Sequence, residues 1–262
     1  MDAPSLTTLR LERANASPVA ALVLDRPSRL NALSRDLLRE LVVACRWLDD
    51  QRDLKVVVVR GEGRAFSAGF DLHDFANPAP DASVRDTADL GRLAAEALTD
   101  VGPLTIAAIH GHCVGGGLVL AAACDLRVAA DDARFSIPEV DLGIPLAWGG
   151  IPRLVREIGP ALTKELVLTC RPFDAAEAKA IGFLNRVVPA DELDAAVAEL
   201  AQQLADKPAF ALRTTKQQVN AVAEELAGTR RNANDADTLV AALADEESVA
   251  ASRRYLQRRA GR

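Results

Sequence analysis

The sequence predicts an α/β fold whose C-terminal part is helical, and three observations carry that expectation. Apolar, β-branched runs such as KVVVV (55–59) and PLTIAAI (103–109) alternate with amphipathic stretches up to about residue 140, the pattern of a sheet built through crossover connections. From Ile151 onward helical periodicity dominates, punctuated by Gly, Pro and Asp. The 262 residues are 49% hydrophobic and 26% charged, with no internal repeat and no low-complexity linker, the composition of a soluble globular chain with a sizeable core.

In chain order, the apolar stretches Leu9 to Leu11 and Val19 to Leu24, split by ANASP, read as a β-hairpin. The turn DRPSRLNALS follows. Ser34 is placed to cap a helix whose stripe is Leu37, Leu38, Leu41, Val42, Cys45 and Leu48. KVVVVRGEG reads as a buried strand ending in a glycine turn, PLTIAAIHG as another, with a polar helical segment between them. GGGLVLAAACD (115–125) is apolar on every side, as a helix buried in the core would be. LRVAADDARFSIP returns to strand character. IPRLVREIG, ALTKELVLTC, DAAEAKAIG, ADELDAAVAELAQQLAD and PAFALRTTKQQVNAVAEELAG then read as successive helices.

The formal charge of −6 argues against a surface that neutralises a nucleic-acid backbone. One basic patch, RRYLQRRAGR (253–262), reads either as a solvated helix end or as a phosphate contact. The N-terminus has no secretory or transit pattern and no apolar run reaches membrane-spanning length, so a cytoplasmic protein without membrane partners is expected. Cys45, Cys113, Cys124 and Cys170 have no C-x-x-C spacing, and three histidines supply no zinc set. Reduced thiols and no metal site are therefore expected.

The glycine cluster GHCVGGGL lacks the Lys-Ser/Thr of a P-loop and the spacing of a dinucleotide turn. AFSAG has Ala65 where a nucleophile elbow has glycine, which leaves Ser67 a structural role. What the turns FSAGFDL and VGGGL share is the ability to aim backbone N–H groups from helix N-termini at one carbonyl oxygen, as an oxyanion hole does.

Four segments in order, LDRPSRLNALS (24–34), VVVVRGEGRAFSAGFDL (56–72), GHCVGGGLVLAAACDLRVAADDARFSIPEVDLGIP (111–145) and AAEAKAIGFLNRVVP (175–189), resemble the crotonase superfamily of enoyl-CoA hydratases and isomerases. The resemblance spans nearly the whole chain. It implies a crotonase-like ββα spiral core, drawn here as residues 1–195, and a helical C-terminal trimerisation region, residues 196–262, assembling as a homotrimer or as a hexamer made of two trimers. It also implies acyl-CoA thioesters as substrates, an enolate intermediate, and no separate cofactor.

By that resemblance the oxyanion donors are the amides of Phe70 and Gly116. The substrate would lie along Ser28, Arg29 and Leu30, then Ala68, Gly69, Asp71 and Leu72, then Gly115 and Val119. Arg29 is placed to meet a phosphate; read alone it is a solvated charge. The basic tail is a second source of phosphate contacts, with Tyr255 a loose match to the family's aromatic near this end.

Family hydratases use two glutamates, and here the first position is Val119 while the second is Glu139 in IPEVDLG. An apolar branched side chain cannot orient water, whereas one carboxylate suffices to carry a proton between two carbons. Double-bond isomerisation of an enoyl-CoA is therefore expected. Hydration and non-catalytic acyl-CoA binding remain the alternatives. Dienoyl-CoA isomerases carry a further aspartate where this chain has Leu146, and aryl-CoA dehalogenases one where it has Ala147. Asp141 reads as structural; His73 and Asp74 read as exposed helix residues or as further polar groups of the pocket; His110 and His112 read as structural imidazoles.

Overall fold

The computed structural model describes residues 3–14, 16–77, 84–229 and 234–260. The final residues of the basic run, 261 and 262, lie outside them. Strands β1 (Leu9–Glu12) and β2 (Val19–Leu24) pair antiparallel, as the hairpin reading requires. Strands β3 (Val56–Gly61), β4 (Leu104–Ile109), β6 (Leu126–Ala130) and β9 (Arg186–Val188) then add in parallel, giving a six-stranded sheet in the order β1-β2-β3-β4-β6-β9. A small second sheet joins β5 (His112–Val114), β7 (Arg134–Ser136) and β8 (Phe173–Asp174). LRVAADDARFSIP is thus two strands in two different sheets.

Side chains alternate across a strand, and this explains why the central strands carry apolar residues on both faces. Val57, Val59, Ala107, Ile109 and Ala129 face one core, with α1 (Arg35–Asp50), α3 (Val84–Asp100) and α4 (Gly116–Ala123). Val56, Ile106, Ala108, Val128 and Ala130 face the other, with Leu193, Val197, Leu200 and Ala201 of α7 (Leu193–Ala205). Both faces of the sheet are covered. Ser34 caps α1 by accepting from the Leu37 N–H at 3.2 Å. All eight residues of α4 are buried.

The division drawn at 195/196 falls inside α7, a helix that belongs to the second core. The helices that leave the sheet begin with α8 (Ala209–Ala227). IPRLVREIG and ALTKELVLTC form the two arms of α5 (Gly150–Thr169), which bends where Gly159 takes φ 78° ahead of Pro160. DAAEAKAIG contains α6 (Ala175–Ala180). Two further helices, α9 (Asp235–Ala244) and α10 (Glu246–Ala260), fold back over the same chain: α9 packs on α3, α10 on α9, and Ser252 donates to the Leu142 carbonyl at 2.5 Å. Among the described residues no helix is long and apolar enough to cross a membrane. The four thiols are free, and burial pushes Cys45 and Cys124 up to about 12.

Candidate active site

Two glycine turns come together beneath the helical layer. Ser67 N–H donates to His112 O at 3.0 Å and Val114 N–H donates back to Ser67 O at 3.0 Å, so the chain after β3 is knitted to β5. Gly69 has φ +86°, and a Cβ there would come 2.7 Å from Val114 O and 3.6 Å from Gly116 N. Gly115 has φ +49°, and a Cβ there would run into Glu139 Oε1. Both positions combine a backbone conformation that L side chains resist with a close approach, so glycine is required twice over.

The Phe70 and Gly116 amides meet the first condition for oxyanion donors. Leu33 N–H donates to Gly69 O and Asp71 N–H to Leu33 O, which turns Phe70 N–H away from that pairing; Gly116 opens α4, where the first N–H groups have no intrahelical acceptor. Neither N–H has a protein acceptor among the described residues. Trp148 lies against Gly116, where a Cβ would strike its ring, and meets Phe70 edge-on with centroids 5.7 Å apart and an interplanar angle of 89°.

Glu139 follows β7 in a tight turn: Gly115 N–H donates to Ser136 O at 2.9 Å, Leu142 N–H to Pro138 O at 3.0 Å and Ile144 N–H to Glu139 O at 3.0 Å. As a residue Glu139 is half-buried, but its Oε2 is shielded from solvent and has no hydrogen-bond partner. Desolvation dominates, and it pushes the carboxyl up to about 7. A carboxylate so placed exchanges protons readily near neutrality.

Two cavities adjoin at Phe70, Glu139 and Ile144. The inner one, of about 190 Å³, is mostly apolar; Phe70, Gly116, Val119, Leu146, Ala147 and Trp148 line it. Among the described residues, its titratable lining is Arg35, Asp74 and Glu139. The outer one, of about 640 Å³, takes in Arg29, Leu30, Ala68, Gly69, Asp71, Leu72 and Gly115. Ser28 lines neither cavity. It is exposed on the short 3-10 turn Pro27–Arg29, next to Arg29 at the edge of the outer cavity. Asp71 lines the outer cavity, but its carboxylate is engaged by Arg26 Nη1 at 2.8 Å and by the His73 N–H at 3.0 Å, where it caps α2 (Leu72–Ala76). Its side chain is thus held by the fold, while the residue stands on the cavity wall where the substrate was expected to lie.

His73 and His112 line the outer cavity, while His110 Nε2–H donates to Gly63 O at 2.9 Å; Asp141 is exposed and outside both cavities. Several lining residues were not singled out from sequence. Trp148 was marked only by its two neighbouring glycines, Arg134 by nothing beyond strand periodicity, and Leu239 and Leu243 reach the inner cavity from α9 through tertiary packing. Tyr255 and Arg259 of α10 line the outer cavity from the same chain, the guanidinium 5.5 Å from the ring centroid. With Arg29 and Arg134 they make that cavity cationic.

An enoyl-CoA hydratase/isomerase family model matches residues 14–261. A probable enoyl-CoA hydratase, echA8, of Mycobacterium bovis is 41% identical over 204 residues, 77% of each protein. A peroxisomal Delta(3,5)-Delta(2,4)-dienoyl-CoA isomerase of Arabidopsis thaliana is 38% identical over 229 residues, 82% of each. Among solved structures, an enoyl-CoA hydratase/isomerase from Xanthobacter autotrophicus Py2 superposes with a TM-score of 0.83 at 30% identity, covering 91% of this chain and 88% of that one.

Proposed function

The chain belongs to the enoyl-CoA hydratase/isomerase family, and from that membership we propose that it moves the double bond of a 3-enoyl-CoA to the 2-position. One observation carries this reading. Of the described titratable residues on the inner cavity, Asp74 is tied to Arg35, which leaves Glu139 as the carboxylate without an ion-pair partner, with Val119, Leu146 and Ala147 apolar where further acids would stand.

The outer cavity receives the coenzyme A moiety, with Arg29, Arg134 and Arg259 near its phosphates. The thioester oxygen lies between the Phe70 and Gly116 amides. Ionised Glu139 takes the proton from C2; that electron pair forms the C1–C2 double bond of a dienolate, whose oxyanion the two amides stabilise. Protonated Glu139 then delivers the proton to C4, the thioester carbonyl reforms, and the double bond is left between C2 and C3. No water enters and nothing is oxidised. Hydration of a 2-enoyl-CoA needs a second group to orient water, and Val119 cannot supply it.

The test is to incubate the protein separately with 2-enoyl-CoA and 3-enoyl-CoA of several lengths, following hydration and double-bond migration, beside Glu139→Gln. Migration that the substitution abolishes is the expected result. Efficient hydration would replace this reading with a hydratase. Tight binding without turnover would replace it with an acyl-CoA binding protein.

For the assembly we propose the homotrimer, or a hexamer made of two. Its support is the exposed apolar surface at Leu168, Phe210, Val219, Val222 and Leu226, the last three sharing one stripe of α8. Light scattering that gives the mass of a single chain would refute it.

A further inference from the structure

Phe70 and Gly116, whose amides are the expected oxyanion donors, share one neighbour. The Trp148 indole is buried. Its six-membered ring lies where a Cβ on Gly116 would stand, it meets Phe70 edge-on with centroids 5.7 Å apart, and its ring-fusion atoms lie where a Cβ on Gly91 of α3 would stand. Two helices, α3 and α4, thus each present a glycine to this one ring, which also lines the inner cavity. Close packing ties the pieces together, so a shift of the indole is a shift of the wall against which Phe70 and the first turn of α4 rest.

The main chain that carries the ring is strained. Trp148 has φ +63° and Gly149 φ +68°. A bulky side chain seldom adopts that region, and it stays there only where its surroundings hold it. Arg153 of α5, 1% exposed, donates through Nη1 to the Trp148 and Gly149 carbonyls, both at 3.2 Å, and through Nη2 to Thr99 Oγ1 of α3 at 3.1 Å. The Gly149 N–H donates to Asp235 Oδ2 at 2.8 Å. Asp235 opens α9 and lines neither cavity of the candidate active site. The strained turn is therefore completed by a helix that folds back over its own chain.

We propose that Trp148 is a positioning residue for the oxyanion hole, braced against both donor residues, and that Asp235 keeps it there through the Gly149 amide, so that a carboxylate which touches no substrate governs the rate of the reaction. The inference rests on the oxyanion-hole reading of the site and deepens it by naming what holds the hole in shape. Such a hole works because its donors are in place before charge develops, and a displacement of about 1 Å can cost about 100-fold in rate. Without Asp235 the Gly149 amide is released, the strain at Trp148 relaxes and the indole leaves its seat. The loss falls on the transition state more than on the bound thioester, since the negative charge on oxygen develops only there.

The experiment uses the whole chain carrying Trp47→Phe, which leaves Trp148 its single tryptophan, and adds Asp235→Ala, Asp235→Asn or Trp148→Phe, with circular dichroism to check folding. The readings are kcat for migration in a 3-enoyl-CoA, the dissociation constant of the saturated acyl-CoA of the same length, and the Trp148 emission. Asp235→Ala should lower kcat at least about tenfold, alter the dissociation constant less than about threefold, and move the emission to longer wavelength. Asp235→Asn keeps an acceptor oxygen and should restore most of the rate and the original emission. Trp148→Phe leaves the backbone clamp in place but shrinks the ring; it should show the same split between kcat and affinity, and it decides the matter if Asp235→Ala does not fold. Full kcat in the folded variants, a loss confined to stability or affinity, or a fall in kcat that Asp235→Asn does not reverse would overturn the proposal. If the wild type moves no double bond, the isomerase reading fails. Exchange of the C2 protons of the saturated acyl-CoA in deuterium oxide then replaces kcat in the same comparison, because it needs only that Glu139 remove a proton to form the enolate and return a deuteron. A wild type that shows neither migration nor exchange would overturn the oxyanion hole and this proposal with it.

Discussion

Replacing Glu139 with Gln keeps the shape of the side chain and removes its charge, which makes catalysis and stability move in opposite directions. Burial lifts this carboxyl from 4.5 to about 7, a difference of about 3 kcal/mol in favour of the protonated form. The native state therefore holds the extra proton between those values. The penalty for ionising the site grows as pH rises from 4.5 to 7 and is complete above that. An amide pays no such penalty at any pH. Thermal or denaturant unfolding at fixed protein concentration should find Glu139→Gln more stable than wild type by about 3 kcal/mol at pH 9, and within about 1 kcal/mol of it at pH 5. For a chain of this size the alkaline difference is roughly 5–10 °C in Tm. Migration activity should be lost at both pH values. Equal stability of the two proteins at pH 9, or a gap that does not change with pH, would show that Glu139 carries no desolvation penalty, and the argument for a base poised near neutrality would fall with it.

The same carboxyl sets the pH–rate profile: kcat/KM for a 3-enoyl-CoA should climb through an apparent pKa near 7, because only ionised Glu139 accepts the C2 proton, and a flat profile between pH 5 and 9 would exclude it as the base. Gly116→Ala would force a Cβ against the Trp148 ring and displace the amide from its position; kcat/KM should fall by about 100-fold or more in a protein whose circular dichroism is unchanged, and retention of full activity would remove Gly116 from the oxyanion hole. Lys216→Met tests a pair away from the chemistry. Lys216 Nζ lies 2.9 Å from Asp125 Oδ2 with the side chains 4% and 15% exposed, so removing the cation strands a buried charge and should cost about 3 kcal/mol in denaturant unfolding, most of it recovered in Lys216→Met/Asp125→Asn.

Much of the scaffold was legible because its physics is local. The Val56 to Val59 run, the Ser34 cap and the wholly apolar Leu118 to Ala123 stretch each have one reading, set by strand alternation, capping geometry and burial on all sides. The requirement for glycine at 69 and 115 was readable as close backbone approach, though what is approached, Val114 O in one case and the Glu139 carboxylate in the other, is known only once the chain is folded. Ser28 shows the limit of a motif. It belongs to the same short turn as Arg29, but a 3-10 turn sends neighbouring side chains in different directions, and only Arg29 of the two reaches the groove.

The residues that sequence did not reveal are those whose role depends on what another element leaves undone. Arg35 is an ordinary first-turn residue of an amphipathic helix, with no periodicity to mark it. Its place is a matter of donors and acceptors: Asp74 and Asn77, from α2 and its end, engage Nη2, while Nη1 is shielded from solvent and has no acceptor among the described residues. Glu139 follows a related logic, since its raised pKa comes from desolvation of a carboxyl whose Oε2 has no hydrogen-bond partner. The small, mostly apolar chamber thus sets the protonation of the one carboxyl on its described lining that has no ion-pair partner. In the proposed reaction, a thioester held at its oxygen by the Phe70 and Gly116 amides has a fixed orientation before any chemistry begins, and that orientation decides which carbon presents its proton to Glu139.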